Sequence, residues 1–368
     1  MKNGKSITLV SNNYWTLYKF RYEVIEMFLN EGYMINLIGQ NDSYSDKFNH
    51  NNIKKYYIPI KSRSLSILDE LRTFISLYKI YKSLKTNLIF HFTIKPNIYG
   101  SLICRLLNIK SISFITGIGH TFIRNNILQK FIVTLYKIAL SKVYEIWFTN
   151  DSDKILFESL GIIKSNKTRV VPGSGINIPS SIRSYQHNSR TTFLMIARLQ
   201  KEKGVIEFLE CSEHYKNNPD ISFILIGDLL ANDPSGITIE EINKYIHNKS
   251  ITYMSYQEDI YKHINEASCV VLPSYREGMS TVLLEASVLK RPIITTNVPG
   301  CIDIIKDESY GILCEPRNSS SLIDATQKFL NLDHLEVVNL VEKTFKHVKD
   351  NFSKNIVLAE YKNTINNL

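Results

Sequence analysis

Residues 269–286 read CVVLPSYREGMSTVLLEA, and this stretch indicates the fold class of the chain. It opens with a short apolar run of β type, Cys269–Leu272, and continues into a loop that carries Glu277 and Gly278. A helical pattern begins near Ser280. A buried strand that leads through a short loop into a helix is the repeating unit of parallel α/β sheets.

The same alternation of strand and helix extends along the whole chain. Further runs of β type lie at 7–10, 34–38, 88–91, 111–115, 145–148, 169–171, 193–196, 223–226, 251–253, 292–295 and 311–313. We therefore predict an α/β protein made of two doubly wound, Rossmann-like domains. Ligands of open α/β sheets bind beyond the carboxyl ends of the strands, so we expect a site in the cleft between the domains.

The turn-rich stretch 172–190 predicts where the two domains meet. We place an N-terminal domain at 1–178 and a C-terminal domain at 179–350. The last segment, 351–368, is expected to be a crossover helix that could pack back on the first domain.

The charge of the chain is unevenly distributed. Residues 1–188 carry 25 basic and 11 acidic side chains, net +14, whereas the 368-residue chain as a whole is +9. A basic first half indicates an anionic partner for that half, and ordinary surface charge is the alternative. A nucleic-acid partner is not expected, because the chain has no recognisable reading motif.

The composition also predicts the compartment. The five cysteines are scattered without a ligand or disulfide spacing, which favours a reducing environment. The apolar run at 7–10 is too short for a signal peptide, and no apolar stretch approaches the roughly 18 residues of a membrane span. We expect a cytoplasmic protein that could still lie on a membrane surface.

Arg198 and Lys203 follow the first strand of the second domain, within the sequence IARLQKEKGV at 196–205. At the mouth between strand and helix, Arg198 and Lys203 could hold a diphosphate through bidentate and point-charge contacts. Any such loop can carry basic residues by chance. The pair gains weight from the segment 269–286, whose helix start near Ser280 offers free N–H groups to a phosphate.

Within that segment, Glu277 and Glu285 flank the expected phosphate site, where carboxylates could bind sugar hydroxyls. Gly278 would let the backbone approach a ligand closely. The alternative is that Glu277 caps the helix and Glu285 is a surface residue.

These motifs resemble those of family 4 of the retaining glycosyltransferases, which have the GT-B fold. The E-x7-E segment and the loop 196–205 carry this resemblance, which runs nearly end to end. More narrowly, SNNYWTLYKFR at 11–21, TIKPNIYG at 93–100, TGIGH at 116–120 and PGC at 299–301 resemble bacterial enzymes that extend undecaprenyl-diphosphate-linked sugars.

The resemblance implies that the domain at 1–178 binds the acceptor and that the domain at 179–350 binds the nucleotide sugar. It also implies roles for individual residues. Those matching Arg198 and Lys203 neutralise the donor diphosphate, the one matching Glu285 binds the ribose, and the one matching Glu277 contacts the transferred sugar. The candidate donor-binding residues are Arg198, Lys203, Glu285, Gly278, Met279, Ser280, Thr281 and Tyr256, the last lying in the loop that matches a stretch beside the base. The candidate acceptor-binding residues are Asn12, Lys19, Arg21 and Lys95.

The chain departs from the family pattern at two places. It has Ser11-Asn12-Asn13 where many relatives have a glycine-rich turn after the first strand. It also has His120 at the end of TGIGH, where many relatives have a Thr-x-His-Gly turn. His120, with Glu277, is the candidate catalytic residue, and a turn histidine is an equally good interpretation. His91 is expected to be packed in the core or to line the cleft passively.

Asp151-Ser152-Asp153 has the spacing of a metal-diphosphate motif, but helix capping and favourable charge at a helix N-terminus explain it. Since Arg198 and Lys203 supply fixed cations, we expect neither a metal nor another cofactor.

The sequence thus predicts a retaining, metal-independent glycosyltransferase that uses a nucleotide sugar, expected to be UDP-linked, to extend a lipid-diphosphate-linked saccharide. We expect it to act in surface polysaccharide or O-antigen assembly, peripherally bound to the anionic cytoplasmic face of the inner membrane. A nucleotide-sugar epimerase of the same fold and a non-catalytic GT-B binding protein are the alternatives. A dehydrogenase is disfavoured, because no G-x-G-x-x-G follows the first strand.

Overall fold

The computed structural model describes residues 5–60, 66–118, 127–186, 190–230 and 233–368. The chain divides into two compact units. Unit 1 comprises Met1–Ser174 and Asn355–Leu368, and unit 2 comprises Gly175–Lys354. The division therefore falls four residues before the boundary drawn from the sequence, and the C-terminal segment joins unit 1 from residue 355 onward.

Unit 1 is built on a seven-stranded parallel sheet with the order β3-β2-β1-β4-β5-β6-β7. The strands are β1 (Ser6–Asn13), β2 (Met34–Gln40), β3 (Ile53–Tyr57), β4 (Leu88–Phe92), β5 (Ser111–Ile115), β6 (Glu145–Phe148) and β7 (Thr168–Val170). Helices connect them as α1 (Tyr14–Asn30), α2 (Ile67–Ser83), α3 (Ser101–Leu107), α4 (Ile127–Leu140) and α5 (Asp151–Ser159). A five-residue π-helix, Pro96–Gly100, precedes α3.

Unit 2 repeats this plan with six parallel strands in the order β10-β9-β8-β11-β12-β13. The strands are β8 (Thr191–Ile196), β9 (Ile221–Ile226), β10 (Thr252–Met254), β11 (Cys269–Leu272), β12 (Ile293–Thr296) and β13 (Ile312–Cys314). The helices are α6 (Val205–His214), α7 (Ile239–His247), α8 (Ile260–Glu266), α9 (Thr281–Val288), α10 (Ser319–Leu330) and α11 (His334–Phe352). The prediction of two doubly wound α/β sheets is thus confirmed.

The final helix, α12 (Lys354–Asn366), returns to unit 1. Its buried side chains Val357 and Tyr361 enter the core that also contains Phe90 and Trp147. The ring of Tyr361 lies 4.8 Å from that of Trp147 and 5.0 Å from that of Phe90, which are contact distances for aromatic pairs. The chain therefore begins and ends in unit 1.

In each sheet the chain order of the strands reverses at one place, between β1 and β4 in unit 1 and between β8 and β11 in unit 2. In each sheet, the loops that leave the two strands at this reversal point run in opposite directions. This opens a crevice at the carboxyl end of the sheet, where ligands of this fold class bind. The strand-leaving loops at these two points carry most of the residues that the sequence analysis selected.

Candidate active site

Two loops meet at the reversal point of the unit 2 sheet, one after β8 and one after β11. The first contains a single 3₁₀ turn, Lys201–Lys203, and ends at Gly204, whose φ of +77° is a left-handed conformation. A β-carbon at Gly204 would stand 2.1 Å from the carbonyl oxygen of Pro273, which directly follows β11. Only glycine permits this approach, and it holds Lys203 beside the end of β11.

The ammonium group of Lys203 is paired with the carboxylate of Glu277. Its Nζ donates to Oε1 and to Oε2 of Glu277, each at 2.7 Å. The hydroxyl of Ser274, a fully buried residue, also donates to Oε1 at 2.7 Å. The Glu277 side chain is only 9% exposed and that of Lys203 20%. The two residues that the sequence assigned to sugar and diphosphate are therefore one shielded ion pair.

The backbone of Glu277 is fixed from the neighbouring loop after β12. Its N–H donates to the carbonyl oxygen of Pro299 at 3.1 Å. Gly300 has a φ of +81°, and a β-carbon there would lie 2.4 Å from the carbonyl oxygen of Glu277. The PGC motif at 299–301 thus packs directly against the Glu277 loop, which places this motif in the site.

Helix α9 begins beside this pair. Ser280 is its N-cap, since the Ser280 hydroxyl accepts the N–H of Leu283 at 3.3 Å. The alternative that Glu277 caps this helix is therefore wrong. Ser280 is buried, whereas Gly278, Met279 and Thr281 are partly exposed around the helix start. The N-terminus of α9 thus lies next to the Lys203–Glu277 pair, where helix N–H groups attract anions.

The remaining donor candidates lie around the same edge of unit 2. Arg198 is exposed in the loop after β8. Glu285, within α9, is partly exposed, and burial together with this carboxylate raises the pKa of Tyr261 to about 12. Tyr256, after β10, has a 47% exposed side chain, and its N–H donates to Oδ1 of Asp228 at 2.9 Å.

Asp228 was not selected from the sequence, although it connects the loops after β9 and β10. Its carboxylate receives the Tyr256 N–H, and its backbone oxygen accepts the N–H of Leu199 at 3.3 Å. The dipeptide Gly227-Asp228 at the end of a predicted strand was the available signal. A β-carbon at Gly227 would lie 1.8 Å from the carbonyl oxygen of Ala197, which explains the glycine.

The reversal point of unit 1 brings together Asn12 and Thr93. The Thr93 hydroxyl donates to Oδ1 of Asn12 at 2.8 Å, so the loop after β4 is joined to the carboxyl end of β1. Thr93 has a φ of +70°, which is strained for a β-branched residue. Lys95 follows, and its Nζ lies 2.5 Å from Oε1 of Glu70 on α2. Glu70 also accepts the Tyr99 hydroxyl at 2.7 Å.

The other two acceptor candidates lie on α1 and differ in their surroundings. Lys19 is partly exposed. Arg21 is only 3% exposed, and its guanidinium lies over the rings of Phe92 and Phe114, 4.5 and 4.8 Å from their centres. Burial lowers the pKa of Arg21. The structure thus gives Arg21 a place in the core of unit 1 that the sequence analysis did not predict.

The sequence analysis considered two histidines, His120 and His91. His120 lies outside the described residues. His91 is fully buried, with its ring hydrogen-bonded to the Tyr81 hydroxyl at 2.9 Å, and burial lowers its pKa to about 3. It belongs to the core of unit 1, one of the two positions expected for it.

The Asp-x-Asp stretch lies at the start of α5. Asn150 is the N-cap, accepting the N–H of Asp153 at 2.7 Å, and both aspartates lie in the first turn. Asparagine rather than aspartate therefore caps this helix, while the carboxylates are placed favourably at its N-terminus. Across the described residues, no group of three or more His, Cys, Asp and Glu side chains is arranged to hold a metal ion.

Comparison with known families matches both parts of the chain. Residues 178–347 match the model described as glycosyl transferases group 1, and residues 6–150 match the model described as glycosyl transferase 4-like. Together the two matches include the loops that carry Arg198, Glu277 and Thr93.

Two similar proteins of known function extend over almost the same length. The N,N'-diacetylbacillosaminyl-diphospho-undecaprenol α-1,3-N-acetylgalactosaminyltransferase of Campylobacter jejuni is 25% identical over 94% of each chain. The UDP-Gal:α-D-GlcNAc-diphosphoundecaprenol α-1,3-galactosyltransferase of Escherichia coli is 26% identical over 88% of each chain.

Solved structures match at the level of fold. Anabaena HepE, in a complex with UDP and glucose, superposes with a TM-score of 0.78 at 14% identity and covers 98% of this chain and 99% of its own. Sucrose-phosphate synthase from Thermosynechococcus elongatus superposes with a TM-score of 0.80 at 16% identity and covers 99% and 98%.

Proposed function

Since the chain belongs to the glycosyltransferases and has the GT-B fold, we propose that it transfers a hexose or N-acetylhexosamine from a UDP-linked sugar to a lipid-diphosphate-linked saccharide. The observation that carries this proposal is the shielded pair of Lys203 and Glu277 at the reversal point of the unit 2 sheet, with Arg198 exposed in the same loop as Lys203. The UDP in the HepE complex and the acceptors named for the C. jejuni and E. coli relatives support the choice of substrates.

Lys203 is central to the proposed chemistry. Glycosyl transfer develops positive charge on the sugar and negative charge on the leaving diphosphate. The N-terminus of α9, Arg198 and the Lys203 ammonium supply positive potential for the diphosphate, while the Glu277 carboxylate lies 2.7 Å from that ammonium. Preorganised charges of this kind stabilise a transition state without reorganisation during the reaction.

We further propose that transfer proceeds with retention and without a metal ion. Retention in this scheme uses front-face attack, in which a donor phosphate oxygen takes the proton of the acceptor hydroxyl. A double displacement needs a second carboxylate about 5 Å from the first across the reacting bond. The Glu277 carboxylate is poorly placed to act as the nucleophile of such a double displacement. Its Oε1 accepts two hydrogen bonds, and both oxygens are bound by the Lys203 ammonium group.

Thermal-shift screening against a panel of nucleotide sugars, followed by a transfer assay, tests the proposed function. A donor that binds only the folded protein raises its melting temperature, and we expect UDP-sugars to do so more than GDP- or ADP-sugars. With the selected donor, transfer to a prenyl-diphosphate-linked saccharide should yield an α-linked product. Release of an epimerised free sugar, or no stabilisation by any nucleotide sugar, would contradict the proposal.

The place of action is the second part of the proposal. None of the helices among the described residues is long and apolar enough to cross a membrane. We propose that unit 1 binds peripherally to an anionic membrane, at the cytoplasmic face of the inner membrane, where it would meet a lipid-linked acceptor. The basic first half of the chain supports this location.

Exposed apolar side chains on three helices of unit 1 add to this support. Helix α3 packs against both α2 and α4. We call their exposed apolar residues the α2–α4 face: Ile67, Leu68, Leu71, Ile75, Leu106, Phe131 and Ile138. Basic side chains accompany them on each helix, and α3 and α4 contain no acidic residue. Apolar residues interspersed with lysine and arginine are typical of surfaces that lie in a bilayer interface.

A further inference from the structure

A half-buried polar cluster lies near the reversal point of the unit 1 sheet, and it also contains a lysine–glutamate pair. Glu70 on α2 accepts from Lys95 at 2.5 Å through one carboxylate oxygen and from the Tyr99 hydroxyl at 2.7 Å through the other. Lys95 is 14% exposed and Glu70 21%. Burial and this hydrogen bond raise the pKa of Tyr99, so its hydroxyl keeps its proton.

The backbone beside this cluster is strained. Thr93, two residues before Lys95, has a φ of +70° and hydrogen-bonds to Asn12 across the sheet. The residues after Lys95 form the π-helix Pro96–Gly100, an irregularity that occurs often at functional sites. Two local departures from regular structure at the carboxyl end of β4 therefore surround one polar cluster at the position where ligands of this fold bind.

Charge decides which part of an acceptor this cluster suits. The Glu70 carboxylate cancels the Lys95 charge at contact distance, and Arg21 lies in the core with its guanidinium over the rings of Phe92 and Phe114. In unit 2 the exposed Arg198 adds positive charge in the loop of the paired Lys203, whereas here Arg21 is held in the core and cannot serve as such a second cation. A diphosphate would thus meet the Glu70 carboxylate beside a lysine whose charge is already cancelled, and like charges at short range disfavour binding. A neutral sugar would meet a carboxylate, an ammonium group, a phenol and an amide, which are the donors and acceptors that hydroxyl groups require.

We infer that the Glu70–Lys95 pair, together with Tyr99 and Asn12, binds hydroxyl groups of the acceptor sugar and not the diphosphate of the lipid. This inference rests on the proposed function and assigns Glu70, which the sequence analysis did not select, to the acceptor site. Helix α2 also carries the exposed Ile67 and Leu71 on either side of Glu70 in sequence. The lipid side and the sugar side of one acceptor would therefore both meet α2.

The direction in which a single substitution changes the KM of the acceptor distinguishes binding of sugar hydroxyls from binding of a diphosphate. If the cluster binds sugar hydroxyls, Glu70→Gln removes a charged acceptor and should raise the KM of the acceptor about tenfold. If it binds a diphosphate, the same substitution removes a repelling charge and frees Lys95, so the KM should fall. Lys95→Met should raise the KM in either case, and Tyr99→Phe should raise it less than Glu70→Gln.

The experiment measures transfer from the donor selected by thermal shift to two acceptors, a prenyl-diphosphate-linked N-acetylhexosamine and the octyl glycoside of the same sugar. The inference expects Glu70→Gln to raise the KM of both acceptors by a similar factor. Glu31→Gln, which removes the carboxylate of the Glu31–Lys362 pair at 2.9 Å in the same unit, is the matched control and should change neither KM.

Three results would overturn the inference. The first is a lower KM of Glu70→Gln for the diphosphate acceptor, and the second is a changed KM for the diphosphate acceptor alone. The third is a lower melting temperature of Glu70→Gln with both KM values unchanged, which would mean that the pair only links α2 to the π-helix structurally. No transfer by the unaltered enzyme to any prenyl-diphosphate saccharide would contradict the proposed function, and this inference with it.

Discussion

At the scale of single residues, the most consequential contact is the shielded pair of Lys203 and Glu277. A motif can place a lysine after one strand and a glutamate after another, but 74 residues separate this pair in the chain. Which side chains meet depends on the Gly204 approach to Pro273 and on the PGC turn, which are tertiary features. The sequence analysis therefore placed Lys203 and Glu277 in one site with separate roles, and it did not predict that they form an ion pair.

Replacing Lys203 and replacing Arg198 should affect stability differently. Lys203→Met leaves the 9% exposed Glu277 carboxylate without its cation, which should lower the free energy of unfolding by about 2 kcal/mol. Arg198→Met removes an exposed charge and should leave the free energy of unfolding unchanged. Both should lose about a hundredfold in kcat, because each supports the leaving diphosphate. Urea unfolding without ligand and turnover at saturating donor test this, and equal stability losses would contradict the pairing argument.

Ser274 should act on catalysis through Glu277. Its hydroxyl fixes Oε1 of Glu277 at 2.7 Å, so Ser274→Ala should lower kcat about tenfold and leave UDP affinity unchanged. Ser287→Ala is the matched control, since Ser287 is equally buried and donates only to the Leu283 carbonyl oxygen. Calorimetric titration with UDP and steady-state kinetics measure the two effects. Comparable losses of kcat in the two variants would mean that Ser274 has only a packing role.

At the scale of elements, regular strands and helices were predictable because each has a strong local signal. Strand β3 was missed, since Ile53–Tyr57 is a partly exposed edge strand with two lysines and lacks the continuous apolar run of a central strand. The π-helix was also missed, because the segment 98–107 has an ordinary helical pattern. It lies between Lys95 and α3, and the spacing of apolar residues alone does not distinguish one turn of π-helix from α-helix.

Two glycines with similar backbones give a test of the loop after β8. Gly204 and Gly32 have φ values of +77° and +82°, yet a β-carbon at Gly32 would meet nothing within 4 Å. Gly32→Ala should thus cost about 1 kcal/mol from the left-handed conformation alone. Gly204→Ala must also displace the Pro273 carbonyl and should cost clearly more, with loss of turnover as Lys203 shifts. Urea unfolding of both variants measures these losses of stability. Equal losses would contradict the argument that Gly204 is required for the close approach to Pro273.

The start of α5 leads to a prediction about metals. Asn150 caps this helix and Asp151 is an exposed first-turn residue, so the Asp-x-Asp spacing has a structural explanation. Transfer should therefore persist in excess EDTA, and Asp151→Asn should keep near-normal turnover while losing at most a few tenths of a kcal/mol in stability. Abolition by EDTA with rescue by Mn²⁺ or Mg²⁺ would contradict the metal-independent scheme.

At the scale of the whole molecule, the fold class and the family could be predicted because the evidence for them is distributed over the chain. Alternating strands and helices specify two parallel sheets, and the two family matches at 6–150 and 178–347 confirm the resemblance found in the motifs. The return of α12 to unit 1 was expected as a possibility only. The sequence does indicate helical stretches at 79–85 and 130–137 that mix lysine with apolar and aromatic residues. Which apolar side chains of the α2–α4 face are exposed was not predicted, since helical periodicity cannot distinguish a buried apolar side chain from one left uncovered.

The last prediction concerns the membrane. The α2–α4 face combines exposed apolar residues with exposed lysines such as Lys130 and Lys137, and each basic residue near an anionic leaflet contributes about 1 kcal/mol. The protein should float with vesicles that contain anionic phosphatidylglycerol and not with purely zwitterionic vesicles. Binding should weaken at high salt, because screening shortens the range of the attraction.

Two sets of variants separate charge from apolar contact in that experiment. Lys130→Glu with Lys137→Glu should abolish flotation, whereas Lys244→Glu with Lys262→Glu, the same charge change on exposed helix lysines of unit 2, should leave it intact. Leu68→Ser with Leu71→Ser should weaken binding that remains at high salt, since salt does not screen apolar burial. Equal flotation with both vesicle types, or an equal loss in the two lysine pairs, would contradict docking through the α2–α4 face.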